Sequence, residues 1–206
     1  MADLSPLTAA VVGGSLAAVL LAAGMLLSAV WSGGRFWPPG RYDWRWWTYL
    51  SLSGFATGGM VLAGNLDWNS WVLPRPVSSL LGLVFLFVGI VGFLVATYDL
   101  GMEETSGKEG DLRTDGFYRY TRNPQIVFLF VILIGGVCFS NSVGVVVVAM
   151  AMGVWLALMP FAEEPWLQER YGEEYSRYRE STPRFIDVRS VRRLRREIGR
   201  FNEDGF

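Results

Sequence analysis

Residues 125–161 read QIVFLFVILIGGVCFSNSVGVVVVAMAMGVWLALMPF, an apolar stretch interrupted by one polar triplet, Ser140-Asn141-Ser142. A helix crosses the ~30 Å of bilayer hydrocarbon with about 20 apolar residues, so this stretch is too long for a single span. The triplet predicts a tight hairpin of two helices, Gln125–Phe139 and Val143–Phe161. The first is short and is expected to sit low in the membrane or be covered by its neighbours. Upstream, Leu7–Val30, Trp46–Leu66 and Val77–Tyr98 each reach the length of a span. The first of these lacks a basic leading segment and exceeds the apolar core of a secretory signal, so it reads as a span.

Of the eighteen Lys and Arg residues, all but Arg75 fall in three of the segments that flank these runs. The first segment holds Arg35, Arg41 and Arg45, the second Lys108, Arg113, Arg119 and Arg122, and the third runs from Arg170 to Arg200. With five spans, the positive-inside rule puts all three segments in the cytoplasm and the N-terminus outside. An even number of spans breaks the alternation. The fold class expected is therefore an all-α, polytopic, integral membrane protein with five transmembrane helices. Helices 4 and 5 form a tight hairpin, and a cytoplasmic helical cap follows. Three regions result: residues 1–100 with the first three spans, 101–187 as the catalytic region, and 188–206 as a basic tail.

The absences narrow the chemistry. The chain has no histidine, which removes imidazole bases, Ser-His-Asp and Cys-His arrangements, and most zinc sites. Cys138 is the single cysteine and lies in an apolar run, so it forms no internal disulfide and is expected to be inert. No glycine-rich phosphate loop is present. No metal and no nucleic acid are expected as partners. Gly54 and Gly58, a GxxxG spacing in the second run with Gly59 and Ser51 nearby, and Gly82, Gly89 and Gly92 in the third, suit close helix approach in lipid. Trp31, Trp37, Trp44, Trp46 and Trp47 on one side, with Trp68 and Trp71 on the other, read as interfacial belts. In the tail, Val188, Val191, Leu194, Ile198 and Phe201 recur at helical spacing among arginines. That pattern fits either a basic amphipathic helix on an anionic leaflet or a helix packed on its own domain.

Two polar stretches carry the chemistry. One is Leu112-Arg113-Thr114-Asp115-Gly116-Phe117-Tyr118-Arg119-Tyr120-Thr121-Arg122-Asn123-Pro124-Gln125. The other starts at Glu163-Glu164-Pro165-Trp166-Leu167 and continues through Tyr171-Gly172-Glu173-Glu174-Tyr175 to Pro183-Arg184-Phe185-Ile186. Carboxylates beside hydrocarbon are costly unless paired or used. Arg113, Arg119 and Arg122 are available to the two glutamates, so a purely structural ion pair is one reading.

The spelling Gly-x-Tyr-x-x-x-Arg-Asn-Pro, a helical hairpin, then Glu-Glu-x-x-Leu, Gly-Glu-Glu-Tyr and Pro-Arg-Phe resembles the isoprenylcysteine carboxyl methyltransferases and their phospholipid methyltransferase relatives. The resemblance covers about Gly110 to Ile186. It implies S-adenosylmethionine as methyl donor and a lipophilic small-molecule acceptor that enters from the membrane lipids. Carried over, the cofactor-binding positions are Leu112, Arg113, Tyr118, Asn123, Pro124, Gln125, Ile126, Glu163 and Glu164, with Gly116 permitting the turn between them. The family's Arg-His-Pro-x-Tyr-x-Gly reads Arg122-Asn123-Pro124-Gln125-Ile126-Val127-Phe128 here, so its histidine, tyrosine and glycine are replaced. Asn123 keeps a hydrogen-bonding group, whereas Ile126 and Phe128 are expected to fill space. Met159 stands where the eukaryotic enzymes of the family place a substrate arginine, which argues against a prenylcysteine carboxylate as acceptor.

Methyl transfer from a sulfonium is an in-line displacement that needs alignment and desolvation more than acid–base groups. Glu163 suits the donor's hydroxyls or positive charge, Arg113 its carboxylate, and the Tyr118 ring its adenine or sulfonium. No residue stands out as an obligatory base. Two other classes share the pattern: membrane sterol reductases that use NADPH, and a non-catalytic membrane protein of the same fold.

Overall fold

A computed structural model describes residues 4–101 and 111–204. Lys108 of the second basic segment and Gly110, where the resemblance begins, lie outside the described residues, as do the side chains of Ile198, Arg200 and Phe201. Among the described residues the fold is all-helical. It comprises α1 (Pro6–Val30), α2 (Trp44–Leu66), α3 (Val77–Leu100), α4 (Pro124–Ser140), α5 (Val143–Ser181) and α6 (Val188–Asp204), with short 3-10 turns at Ser32–Gly34 and Gly116–Arg119.

Caps and prolines set the helix boundaries. Ser5 accepts from the Thr8 amide with Pro6 beside it, and Asp43 accepts from the Arg45 amide. Asn141 ends α4 in the left-handed region (φ 49°), and Ser142 at once caps α5 by accepting from Val145. Two residues therefore suffice to join the helices. α5 runs well past Phe161, where its apolar run stops. The residues beyond are rich in Glu and Arg, both good helix formers. The helix bends at Gly172 (φ 52°), a conformation that suits glycine.

α1, α3 and α5 are long and apolar enough to cross a membrane. α4 is a shorter apolar helix, and α2 is diluted by Ser51, Ser53, Gly54, Thr57 and Gly58. α3 packs chiefly on α4, and α1 on α5 and α2. The residues that let them approach are partly those expected. On α3, a methyl group at Gly82 or Gly92 would run into Phe139 or Phe128 of α4. Between α1 and α2, a Cβ on Gly59 would lie 2.7 Å from the Gly14 Cα. Gly54 and Gly58 instead face open space, so the predicted GxxxG contact is displaced by one residue to Gly59. Leu21, Met25, Val148, Met152, Trp155 and Leu156 fill the core between α1 and α5.

Trp31, Trp44 and Trp47 are exposed, as belt residues are, but Trp37 is not. It is only 2% exposed and stacks on Tyr49 with ring centroids 4.1 Å apart. The loop that carries it folds back onto α1, where the Ser28 hydroxyl accepts from the Phe36 and Trp37 amides. Arg45 holds the loop by donating to the carbonyls of Arg35 and Pro39 while pairing with Asp43 at 2.7 Å. Arg45 also pulls the Asp43 carboxyl well below its usual range, to about 2.

Candidate functional site

The Gly116–Arg119 turn brings the two polar stretches together. Gly116 sits at φ 52° against the Asp99 carboxylate of α3, where any side chain would collide. The turn and the residues that follow it are then clamped to the end of α5 and the segment after it. The Tyr178 hydroxyl donates to the Tyr118 carbonyl (2.7 Å), the Arg122 amide to the Pro183 carbonyl (2.9 Å), and the Thr121 hydroxyl to the Arg184 carbonyl (3.0 Å).

The clamp closes a cavity between the Asp111–Arg113 strip, Tyr118, the first turn of α4 and the middle of α5. Leu112, Arg113, Tyr118, Asn123, Gln125, Ile126, Glu163 and Glu164 all line it. Pro124 and Gly116 do not. Pro124 is buried at the start of α4, and Gly116 forms the turn. Several polar groups expected to contact a ligand are already engaged with protein. The Asn123 amide donates to the Arg184 carbonyl (3.0 Å), and the Gln125 amide to the Thr97 hydroxyl (2.9 Å). Ile126 lines the cavity, but Phe128 does not fill it. Its ring lies against Gly92 of α3 and edge-on to Phe117 (5.0 Å), so the bulk gained on α4 is taken up by a glycine on α3.

The adjacent glutamates are in opposite situations. Glu164 is held by two arginines: Arg122 at 2.9 Å, and Arg184 in a two-pronged pair at 2.7 and 2.6 Å. The Arg184 guanidinium also lies 3.8 Å over the Phe161 ring. The Glu164 carboxylate raises the Arg184 pKa further, chiefly through those hydrogen bonds. Glu163 meets no cation among the described residues. Its one hydrogen bond there comes from the neutral Trp37 indole, at 2.7 Å. Of the arginines expected near the glutamates, only Arg122 takes that role. Arg119 pairs with Glu197 of α6, and Arg113 lines the cavity with no ion-pair partner among the described residues.

Among the described residues, the cavity therefore presents a carboxylate on one element and a guanidinium on another, each without an ion-pair partner, with Tyr118, Trp166 and Tyr171 among its walls. Such a site suits a ligand that carries both signs of charge and an aromatic face. Trp37 and Arg184 were not among the predicted site residues. Arg184 belongs to the Pro-Arg-Phe motif, which was a usable signal. Trp37 is separated from Glu163 by most of the chain and has no motif, so only the fold reveals it.

Apolar helices long enough to span a bilayer suggest a helical membrane protein, and the cavity at their ends, lined by both apolar and charged side chains, is its candidate ligand site. The phospholipid methyltransferase family model matches residues 77–174, just under half of the chain and most of the cavity-lining elements. That match agrees with the resemblance read from the motifs, and the family implies a membrane methyltransferase. No curated protein and no solved structure matches the chain.

Proposed function

We propose that the protein transfers a methyl group from S-adenosylmethionine to a lipophilic acceptor held in the membrane. The observation that carries this reading is the contrast within the Glu163-Glu164 pair. One carboxylate is neutralised twice, while its neighbour lines the cavity with no cation beside it and a neutral indole as its only hydrogen-bond donor among the described residues. An unneutralised carboxylate at that depth is costly unless a cation completes the site, and the donor brings a sulfonium and an ammonium. Glu163 would hold its positive part or its hydroxyls, and Arg113 its carboxylate. Tyr118 would face its ring or sulfonium. Leu112, Asn123, Pro124, Gln125 and Ile126 would shape the rest, while Glu164 serves as the ion-paired wall and Gly116 as the turn.

When bound, the donor supplies an electrophilic methyl group. What this chain contributes is alignment of the two reactants and exclusion of water, the requirements of an in-line displacement. An attacking oxygen or nitrogen forms the new bond to carbon, the carbon–sulfur bond breaks, and a neutral thioether leaves. The acceptor's proton, where it has one, passes to solvent. Met159 lines the cavity and offers no partner to a carboxylate. The acceptor we infer has a neutral or amine-bearing head, such as a lipid amine, a phenol or a quinol-like hydroxyl, on a tail that stays in lipid.

The same reading has five spans, α1 to α4 and the apolar part of α5, with the N-terminus outside and the cavity and C-terminus in the cytoplasm. Residues 101–187 hold the catalytic region, residues 1–100 the first three spans and 188–206 a tail. Single cysteines placed by Ser70→Cys and Glu180→Cys in a Cys138→Ser background should label from opposite faces; labelling from one face overturns the topology. Membranes containing the protein, incubated with methyl-labelled donor, should yield label in a lipid of the organic phase. Label confined to proteins or water-soluble products, or a base-labile ester on a prenylated thiol, contradicts the proposed acceptor.

A further inference from the structure

A second cleft lies on the other side of the Gly116–Arg119 turn and shares no lining residue with the first. α6 and the turn line it with Arg119, Arg189, Arg192, Arg193 and Arg196, and Tyr120 and Ser190 add polar groups. Positions 189, 192 and 196 fall on one face of α6 by helical spacing, and like charges so placed repel. The protein offsets only part of that charge. Arg119 pairs with Glu197 (3.1 Å) and Arg189 with Asp187 (2.8 Å). Among the described residues Arg193 donates to the neutral Arg119 carbonyl and to no carboxylate, and Arg192 and Arg196 have no carboxylate partner.

The helix is nevertheless held in place. The Ser190 hydroxyl donates to the Tyr120 carbonyl (2.6 Å), and Glu197 accepts from both Arg119 and the Tyr120 hydroxyl. A docked helix thus keeps three guanidinium groups at one cleft with no carboxylate partner among the described residues. Guanidinium forks match phosphate oxygens in pairs and are weakly hydrated, which makes them well suited to that anion. α6 also leaves Val188, Val191 and Leu194 exposed, the pattern of a helix lying in a headgroup layer.

We propose that this arginine cleft binds a phosphate group, supplied by the headgroup of an anionic phospholipid. The phosphate oxygens accept from Arg192 and Arg196, with Arg193 and the Tyr120–Ser190 wall around them. The site is separate from methyl transfer, so its failure leaves the reading of the first cavity untouched.

The test uses the full chain in a phosphate-free neutral detergent. It is titrated calorimetrically with dihexanoyl phosphatidylglycerol, dihexanoyl phosphatidylcholine and inorganic phosphate. Saturable binding of phosphatidylglycerol is expected, with phosphatidylcholine weaker because its choline cation is repelled by the arginines. Arg192→Gln/Arg196→Gln should weaken binding by about tenfold or more, the scale of losing charge-assisted hydrogen bonds. Arg192→Lys/Arg196→Lys should fall between the two, because it keeps the charge without the fork. Unchanged circular dichroism and S-adenosylmethionine affinity would show that both variants keep the fold and the first cavity. Inorganic phosphate that binds as tightly as the lipid and shows the same loss would support the phosphate site and name a soluble source. Equal binding by wild type and the Gln variant, or no binding of either probe, overturns the proposal.

Discussion

The two ends of the α4–α5 pair treat polar groups in opposite ways. At the turn end, almost every polar group is tied to protein. The Asn141 amide donates to Asn69 and to the Trp71 and Leu73 carbonyls, and its oxygen accepts from the Leu73 amide. Asp67 accepts from the Ser142 hydroxyl and the Gly144 amide, and those contacts hold its carboxyl below the usual range. Arg75, alone on this side, donates to the Phe139 and Ser140 carbonyls that α4 leaves open. At the cavity end, Glu163 and Arg113 line a common space with no ion-pair partner among the described residues. Saturated polarity pins the helices together, whereas the unpaired groups are, on the proposed reading, those that meet the ligand. Mutations at the first end should therefore alter stability alone, and those at the unpaired Glu163 and Arg113 of the second should alter binding.

The largest effect is expected at the turn. Asn141→Ala removes four hydrogen bonds from a buried residue and leaves their partners unmet, at a cost of about 3 kcal/mol or more. Melting in detergent should fall steeply, while the folded fraction binds S-adenosylmethionine as before. A variant that melts normally but loses donor binding would reverse the contrast. Glu164→Gln should come next, costing about 2 kcal/mol because it strands Arg122 and Arg184. Its melting temperature should drop more than its donor affinity, and the opposite order would make Glu164 a ligand contact.

Trp37→Phe keeps the stack on Tyr49 and loses the indole donor. Donor affinity should weaken by about 1 kcal/mol with little change in melting. A fall in melting alone would reduce Trp37 to packing. The smallest effect concerns α6. The Tyr120 hydroxyl, followed by Arg119, lowers the Glu197 pKa, and the same hydrogen bond raises that of Tyr120. The Glu197 contribution is complete above roughly 4.3 and is lost as pH falls through its lowered value. The Tyr120 contribution is complete below about 10 and is lost as pH rises through its raised value. A fluorophore on Val191→Cys, in a Cys138→Ser background, should therefore report tightest docking of α6 between those limits. Docking that is constant at pH 3 would remove Glu197 from the clamp.

Helix positions were legible in the sequence because hydrophobic runs and their caps are local. The Asn141-Ser142 turn could be read from one polar triplet, and the strip from Leu112 to Ile126 from its motif. What could not be read depends on partners distant in the chain. Glu163 meets Trp37 from the first loop, and Phe128 finds room only because α3 has Gly92 opposite. The shift of close packing from Gly54 and Gly58 to Gly59 follows from the rotation of α2 against α1, which spacing alone does not specify. The continuation of α5 past Phe161 was masked because the end of an apolar run resembles the end of a helix.

The central claim is that Glu163, and not Glu164, provides the free charge for the donor. Calorimetric S-adenosylmethionine affinities of Glu163→Gln and Glu164→Gln, each scaled to its folded fraction, test it most directly. The account predicts that Glu163→Gln weakens binding by about 1–3 kcal/mol, the scale of a charged hydrogen bond, and melts like wild type, while Glu164→Gln melts early and binds nearly normally once folded. Wild-type donor affinity in Glu163→Gln would contradict it.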